Sequence, residues 1–286
     1  MFEKLSRSWG LVKASGAVLM ESPQLMVFPF ISSIAAFIVL ACFALPMFGL
    51  QAMDGLSGGA AGIPTVWGIG HFVVAFLFYL TQYFVIFFFN VALVGAAMIR
   101  LNGGTPTLGD GLKIAASKWL SILGYAAIAA TIGMLLRAIQ ERVPFAGRII
   151  VGILGAGWTL ATFMVVPVLV SRDVNAVEAV KESVGILHKT WGENVIGQVG
   201  MSMVFMIVQV TIIVLSVGIV IGAALLGSTA LVVFAVVLGI GAVLVAALVA
   251  AALSGIYAAA LYRYATGGEQ TEGFDNAVLQ SAFAAK

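Results

Sequence analysis

Apolar residues in this chain gather into long stretches, and the polar positions fall in short segments between them. Six stretches suit membrane helices, at about residues 25–50, 67–99, 119–139, 149–170, 195–226 and 229–264. A helix rises about 1.5 Å per residue, so roughly 20 apolar residues cross about 30 Å of hydrocarbon. The second and sixth stretches are longer than that and must tilt or project. Only Gly227 and Ser228 separate the fifth from the sixth, which predicts a tight hairpin. The fold class expected is all-α: a polytopic transmembrane helical bundle forming a single membrane domain over residues 1–286.

The short segments have a pattern of their own. Val177, Val180, Val184, Leu187 and Trp191 recur at helical spacing, while Glu178, Lys181, Glu182, His188 and Lys189 fill the rest of the turn. Asn175 followed by Glu178 suits a helix start that caps itself. Phe2, Leu5, Trp9 and Val12 repeat the spacing, with Lys4, Arg7 and Lys13 opposite. Amphipathic interfacial helices are therefore expected over about 2–20 and 174–190, with Trp9, Trp119 and Trp191 at the headgroup level. Anchoring is the plainer role for them; binding of lipid or a partner is the sharper one.

These segments also repeat. SWGLVKAS at 8–15 matches SVGILHKT at 183–190, ASKWLSIL at 116–123 is a weaker version, and AVKES at 179–183 returns as AVLQS at 277–281. Spans two and six both close with an arginine and then Gly-Gly, and span four closes with Arg172. The arrangement expected is three parallel two-span units, each opened by an interfacial helix, with the tail 266–286 starting a fourth.

Composition reinforces the membrane reading: 62% of residues are hydrophobic and 9% charged. A soluble protein carries about 25% charged residues. A net charge of +2 gives no footprint for nucleic acid. Basic residues set the orientation. With the N-terminus inside, the inner segments hold Lys4, Arg7, Lys13, Arg100, Lys113, Lys118, Arg172, Lys181, Lys189, Arg263 and Lys286, and the outer side only Arg137, Arg142 and Arg148. Both termini are thus expected in the cytoplasm. The single cysteine, Cys42, lies in an apolar run, and the basic N-terminal stretch does not read as a cleavable signal.

Chemistry is sparse. No charge falls near a span centre, which argues against ion coupling through a buried carboxylate. Arg137 near the outer end of span three can pair with Glu141 one turn on. Gln82, Asn90 and Gln209 are the mid-membrane polar candidates; interhelical hydrogen bonding is their plainer role, and lining a pore the sharper. GLSG at 55–58 with His71 matches a four-letter protease pattern but lies in a glycine-rich loop. No catalytic residue, metal-ligand cluster or cofactor motif is expected.

FEKLSRSWGLVKAS, SPQLMVFPFIS and VVPVLVSRDVNAVEAVKES together resemble an uncharacterised prokaryotic family of six-span membrane proteins, known only as a domain of unknown function. The layout is similar to membrane domains beside bacterial glycerophosphodiesterases. The resemblance implies architecture and location, and no functional residue. The leading expectation is a non-enzymatic scaffold or lipid-interacting protein whose partners are membrane lipids and further copies of itself. A channel or passive pathway lined by Gln82, Asn90 and Gln209 is the alternative, and an intramembrane enzyme a distant third.

Overall fold

The computed structural model describes residues 2–56, 69–189 and 191–267, and every regular element among them is helical. In order they are α1 (Phe2–Glu21), α2 (Val27–Leu56), α3 (Ile69–Leu101), α4 (Leu108–Ser117), α5 (Trp119–Arg142), α6 (Phe145–Ala161), α7 (Val165–Ser171), α8 (Ala176–Lys189), α9 (Trp191–Leu225) and α10 (Thr229–Ala265). A 3-10 turn, Pro23–Met26, joins α1 to α2. Six stretches are long and apolar enough to cross a membrane: Pro23–Met47, Gly70–Leu101, Trp119–Arg142, Phe145–Ser171, Met201–Leu225 and Thr229–Ala265. A short helix precedes each successive pair of them.

Glycine ends the long helices where the chain must turn. Gly103 has φ +81, its N–H reaches the Arg100 carbonyl at 2.9 Å, and the Gly104 N–H reaches the Ile99 carbonyl at 3.0 Å. That crossed pair satisfies carbonyls the helix leaves open, and the left-handed conformation suits a residue without Cβ. Gly227, with φ +70, turns α9 into α10, and the Ser228 hydroxyl caps α10 by accepting from the Leu231 N–H.

Span four is not continuous. Helix α6 stops at Ala161, residues 162–164 form turns, and α7 resumes at Val165. Pro167 explains the break: it has no N–H to donate, and its ring clashes with the carbonyl four residues back, that of Phe163. The chain accommodates it by tighter bonds, from the Phe163 N–H to the Leu160 carbonyl (3.3 Å) and from Val165 to Thr162 (3.0 Å).

The helices form two compact bodies. The first comprises Met1–Pro29, Leu93–Leu108 and Ile186–Lys286, and in it α1 packs against both α9 and α10. Its core joins Leu11, Ser15, Val18 and Leu19 of α1 with Leu25, Phe28, the Leu93–Ala97 turn and Met201. In α10, Ala252, Leu253 and Gly255 through Tyr262 are buried on every face. Before that segment the α9–α10 hairpin is covered along one seam alone. Half-buried positions on α9 fall at Phe205, Gln209, Ile212, Ser216 and Val220, while Val210, Val214, Val217 and Ile221 stand exposed. Gly239 meets Ser216 there so closely that a Cβ would lie 2.9 Å from the serine Cβ. Small residues at such a seam let two backbones approach in an apolar solvent, where burying hydrocarbon gives no advantage over lipid.

The second body comprises Phe30–Ala92 and Gly109–Gly185. Its buried positions lie at the start of α5 (Ile122, Tyr125, Ala126), through α7 (Val165–Leu169) and along α8 (Ala176, Ala179, Ser183). In α8 the stripe read from sequence is divided: Val177 and Val184 are exposed at 52% and 44%, Val180 is half-buried, and Leu187 is buried, as are Ala176, Ala179 and Ser183. In α1, Trp9 is exposed and Leu11, Ser15, Val18 and Leu19 are buried. Apolar residues next to a bilayer have no need to turn inward, and small ones allow closer helix contact. The tail 266–286, the loop containing Ser57 and the side chains of Phe2 and Leu5 lie outside or almost wholly outside the described residues.

Candidate functional site

The densest polar arrangement among the described residues lies in the second body, where α8 meets the break in span four. Breaking a helix frees backbone groups that need partners in a membrane. Ser183, fully buried, supplies both: its hydroxyl donates to the Ala161 carbonyl at 2.6 Å and accepts from the Met164 N–H at 3.1 Å. The segment leading into α8 is fixed as firmly. Lys118 Nζ donates to the Arg172 carbonyl and to Asp173 Oδ1, both at 2.9 Å, and the Ser121 hydroxyl donates to the Val174 carbonyl at 2.9 Å. Arg172 Nε pairs with Glu182 Oε1 at 3.0 Å.

Two local features let α8 seat this closely. Asn175 and Glu178 cap its start reciprocally, the Glu178 N–H donating to Asn175 Oδ1 (3.0 Å) and the Asn175 N–H to Glu178 Oε2 (3.3 Å). Gly124 of α5 faces Ala176, and a Cβ on that glycine would stand 3.1 Å from the alanine Cβ.

From the break a column of rings runs along α3. Thr162 hydrogen-bonds the phenol of Tyr125, whose ring centroid is 4.4 Å from that of Phe87. Phe87, Tyr83 and Tyr79 then stack at successive four-residue steps, 5.7 and 6.3 Å apart. Gly133 leaves room for the Tyr83 hydroxyl, which would be 3.3 Å from a Cβ. The column ends at Arg137, which donates through Nη1 to Tyr79 Oη at 2.6 Å and through Nε to Glu141 at 3.0 Å. The column's chemistry is structural: it ties one end of span three to the docked short helix.

The polar candidates named from sequence are divided between the two bodies. Gln209 lies in the α9–α10 seam of the first body, donating from Nε2 to the Val243 carbonyl at 3.3 Å. Gln82 sits on α3 in the second body, with Oε1 buried and without a hydrogen-bond partner. Asn90, two turns further along α3, is half-buried. Trp119 is exposed at the start of α5, Trp9 is exposed on α1, and the Trp191 side chain lies outside the described residues. His71 is buried near the start of α3, while Ser57 lies outside the described residues. Among the described residues no three His, Cys, Asp or Glu side chains gather as a metal site. Sequence reasoning missed the role of Ser183. Pro167, inside a run read as continuous from 149 to 170, was a signal that could have exposed the break.

Six membrane-capable helices and a helix-only architecture define a multi-pass integral membrane protein. The chain belongs to a family of unknown function, DUF6159, whose family model matches residues 69–274. That match begins at α3, so the N-terminal stretches that carried part of the resemblance lie before it. A search of curated proteins returns no match.

Proposed function

We propose that this protein is a non-enzymatic membrane scaffold that works at the lipid surface through its short helices, with both termini in the cytoplasm of the cell membrane. One observation carries the reading: α8 has two working faces. Ala176, Ala179 and Ser183 are buried against the spans, and Val177, Lys181, Val184 and His188 form an exposed stripe. Valines with a lysine between them suit the headgroup layer, where an aliphatic stem can stay in hydrocarbon and its charge in water. Exposed Trp9, Trp119 and Leu120 have the same character.

The proposed three-unit repeat draws support from the return spans. Buried segments Val91–Ala97, Met164–Leu169 and Gly255–Tyr262 each stand just before the closing arginine, Arg100, Arg172 or Arg263. The open faces of the α9–α10 hairpin offer surface for a second copy.

The headgroup reading is tested at Val184. A fluorophore attached at Val184→Cys, in a Cys42→Ala background because Cys42 is exposed, should be quenched by lipids spin-labelled near the glycerol. Quenching by aqueous iodide alone would show that α8 does not touch lipid. Orientation has its own test. Exposed Lys181 on α8 is set against exposed Leu226 at the hairpin tip. In intact cells an impermeant maleimide should label Leu226→Cys and reach Lys181→Cys only after lysis; the reverse overturns the orientation.

The permeation pathway stays as the second reading because of the unpartnered Gln82 Oε1, which a water could satisfy. Solute flux through vesicles containing the protein, abolished by Gln82→Leu, would favour it over the scaffold.

A further inference from the structure

Three arginines close the three return spans, and the protein neutralises two of them. Arg100 Nη2 lies 2.5 Å from Glu21 Oε2 at the end of α1, and Arg172 Nε lies 3.0 Å from Glu182 Oε1 on α8. Arg263 differs. Among the described residues it has no ion pair, and its Nη1 is buried without a hydrogen-bond partner. The repeat in the sequence accounts for the difference. AVLQS at 277–281 corresponds to AVKES at 179–183, so Gln280 stands where Glu182 supplies the carboxylate for Arg172.

We propose that Arg263 takes the phosphate of an anionic phospholipid in place of the missing carboxylate. Arg263 Nη1 lacks an acceptor, yet the residue is only half-buried, so a small turn of its long side chain brings the guanidinium to a headgroup. An unsatisfied guanidinium is costly and cannot escape by losing its charge. The depth is right for a lipid. No charged residue stands between Glu193 and Arg263, so Arg263 is the first charge that α10 reaches. From Thr229 to Arg263 the helix rises about 51 Å, which a tilt near 30° fits into the roughly 40–45 Å of a full bilayer. At that level the abundant acceptor is lipid phosphate, which guanidinium binds through paired hydrogen bonds. A zwitterionic headgroup brings its own cation and leaves the arginine unneutralised, whereas phosphatidylglycerol supplies a net negative charge. The inference rests on the lipid-surface reading above and names one lipid class and one residue for it.

The test is native mass spectrometry of the full chain released from vesicles containing equal phosphatidylglycerol and phosphatidylcholine. Wild type should retain one phosphatidylglycerol in preference to phosphatidylcholine, and Arg263→Gln should lower that preference about tenfold. Arg263→Lys, which keeps the charge without the fork, should fall between them. Should Arg263→Gln fail to fold, the wild type and Arg263→Lys decide alone: equal retention of the two lipids by wild type overturns the proposal. Lipid-free wild type is also heated with millimolar inorganic phosphate. A thermal shift matching that of phosphatidylglycerol means that the site takes a free anion, and the lipid is wrong. An unchanged preference in Arg263→Gln, with lowered stability in every lipid, would mean that an acidic side chain such as Glu269, Glu272 or Asp275 is the partner. Quenching at Val184 reports separately on α8, so wild type that shows no lipid preference while quenching is retained sinks this proposal and leaves the scaffold reading intact.

Discussion

Replacing Ser183 with alanine should cost about 2–4 kcal/mol of stability, because it strands two backbone groups at once. The Ala161 carbonyl and the Met164 N–H both rely on that hydroxyl, and Ser183 is fully buried. Leaving one buried polar group unpaired costs about 1–3 kcal/mol, more than the net value of the bond itself. Threonine retains the hydroxyl and should recover part of the loss, whereas valine, with the same shape and no hydroxyl, should not. Val184→Ala, one residue on and exposed, should change stability by less than about 0.5 kcal/mol. Thermal unfolding in a fixed detergent compares the four. A Ser183→Ala protein as stable as wild type would mean that the break in span four is not held by α8.

Gly239→Ile should separate the last two spans. Even the first added carbon would lie 2.9 Å from Ser216 Cβ and 3.2 Å from its Oγ, and both sit on packed helices with little room to yield. Overpacking of this kind costs about 1–3 kcal/mol. The hydrogen bond from Gln209 to Val243, four residues along the same seam, should be weakened as well, adding about 0.6 kcal/mol. Ser216→Gly, made together with Gly239→Ile, returns the missing space and should recover more than half of the loss. Such recovery is a coupling between neighbours, and independent sites would not show it. A cysteine pair across the seam, reporting on distance, checks that the loss comes from separation and not from a general loosening.

Much of the helical layout was legible in the sequence because lipid imposes it directly. Each backbone polar group must be satisfied within its own segment, so a long apolar run has little choice but helix. Gly227 and Ser228 marked their hairpin, Asn175 and Glu178 their cap, and Arg137 and Glu141 their pair, all from residues within four positions of one another. The contacts that build the candidate site are far apart in the chain and left no such mark. Lys118 meets Asp173, Ser121 meets Val174, and Ser183 meets a break set by Pro167. Which positions of α1 and α8 face the protein was not legible in the sequence, for a physical reason. Hydrophobic periodicity finds the face that avoids water, and beside a bilayer that face need not be the one touching protein. Ala176 and Ala179 face inward because they are small, a property that periodicity of hydrophobicity does not register.

The docking of α1 on α9 and α10 constrains the order of events during synthesis. Leu11 and Val18 are buried in a body whose other main helices are the last two to emerge, and Ile256 follows Leu11 by more than two hundred residues. At about 5–20 residues per second, α1 waits roughly ten to fifty seconds for its partners. On the proposed lipid-surface reading, its inward stripe faces the membrane surface during that wait, so the interface would act as a holding site before it is an environment. A ribosome stalled after α8 would leave behind a chain carrying the whole second body and an α1 with nowhere to dock. Quality-control proteases that recognise uncovered helices should therefore find their signal at the N-terminus of such fragments, far from the point where synthesis stopped.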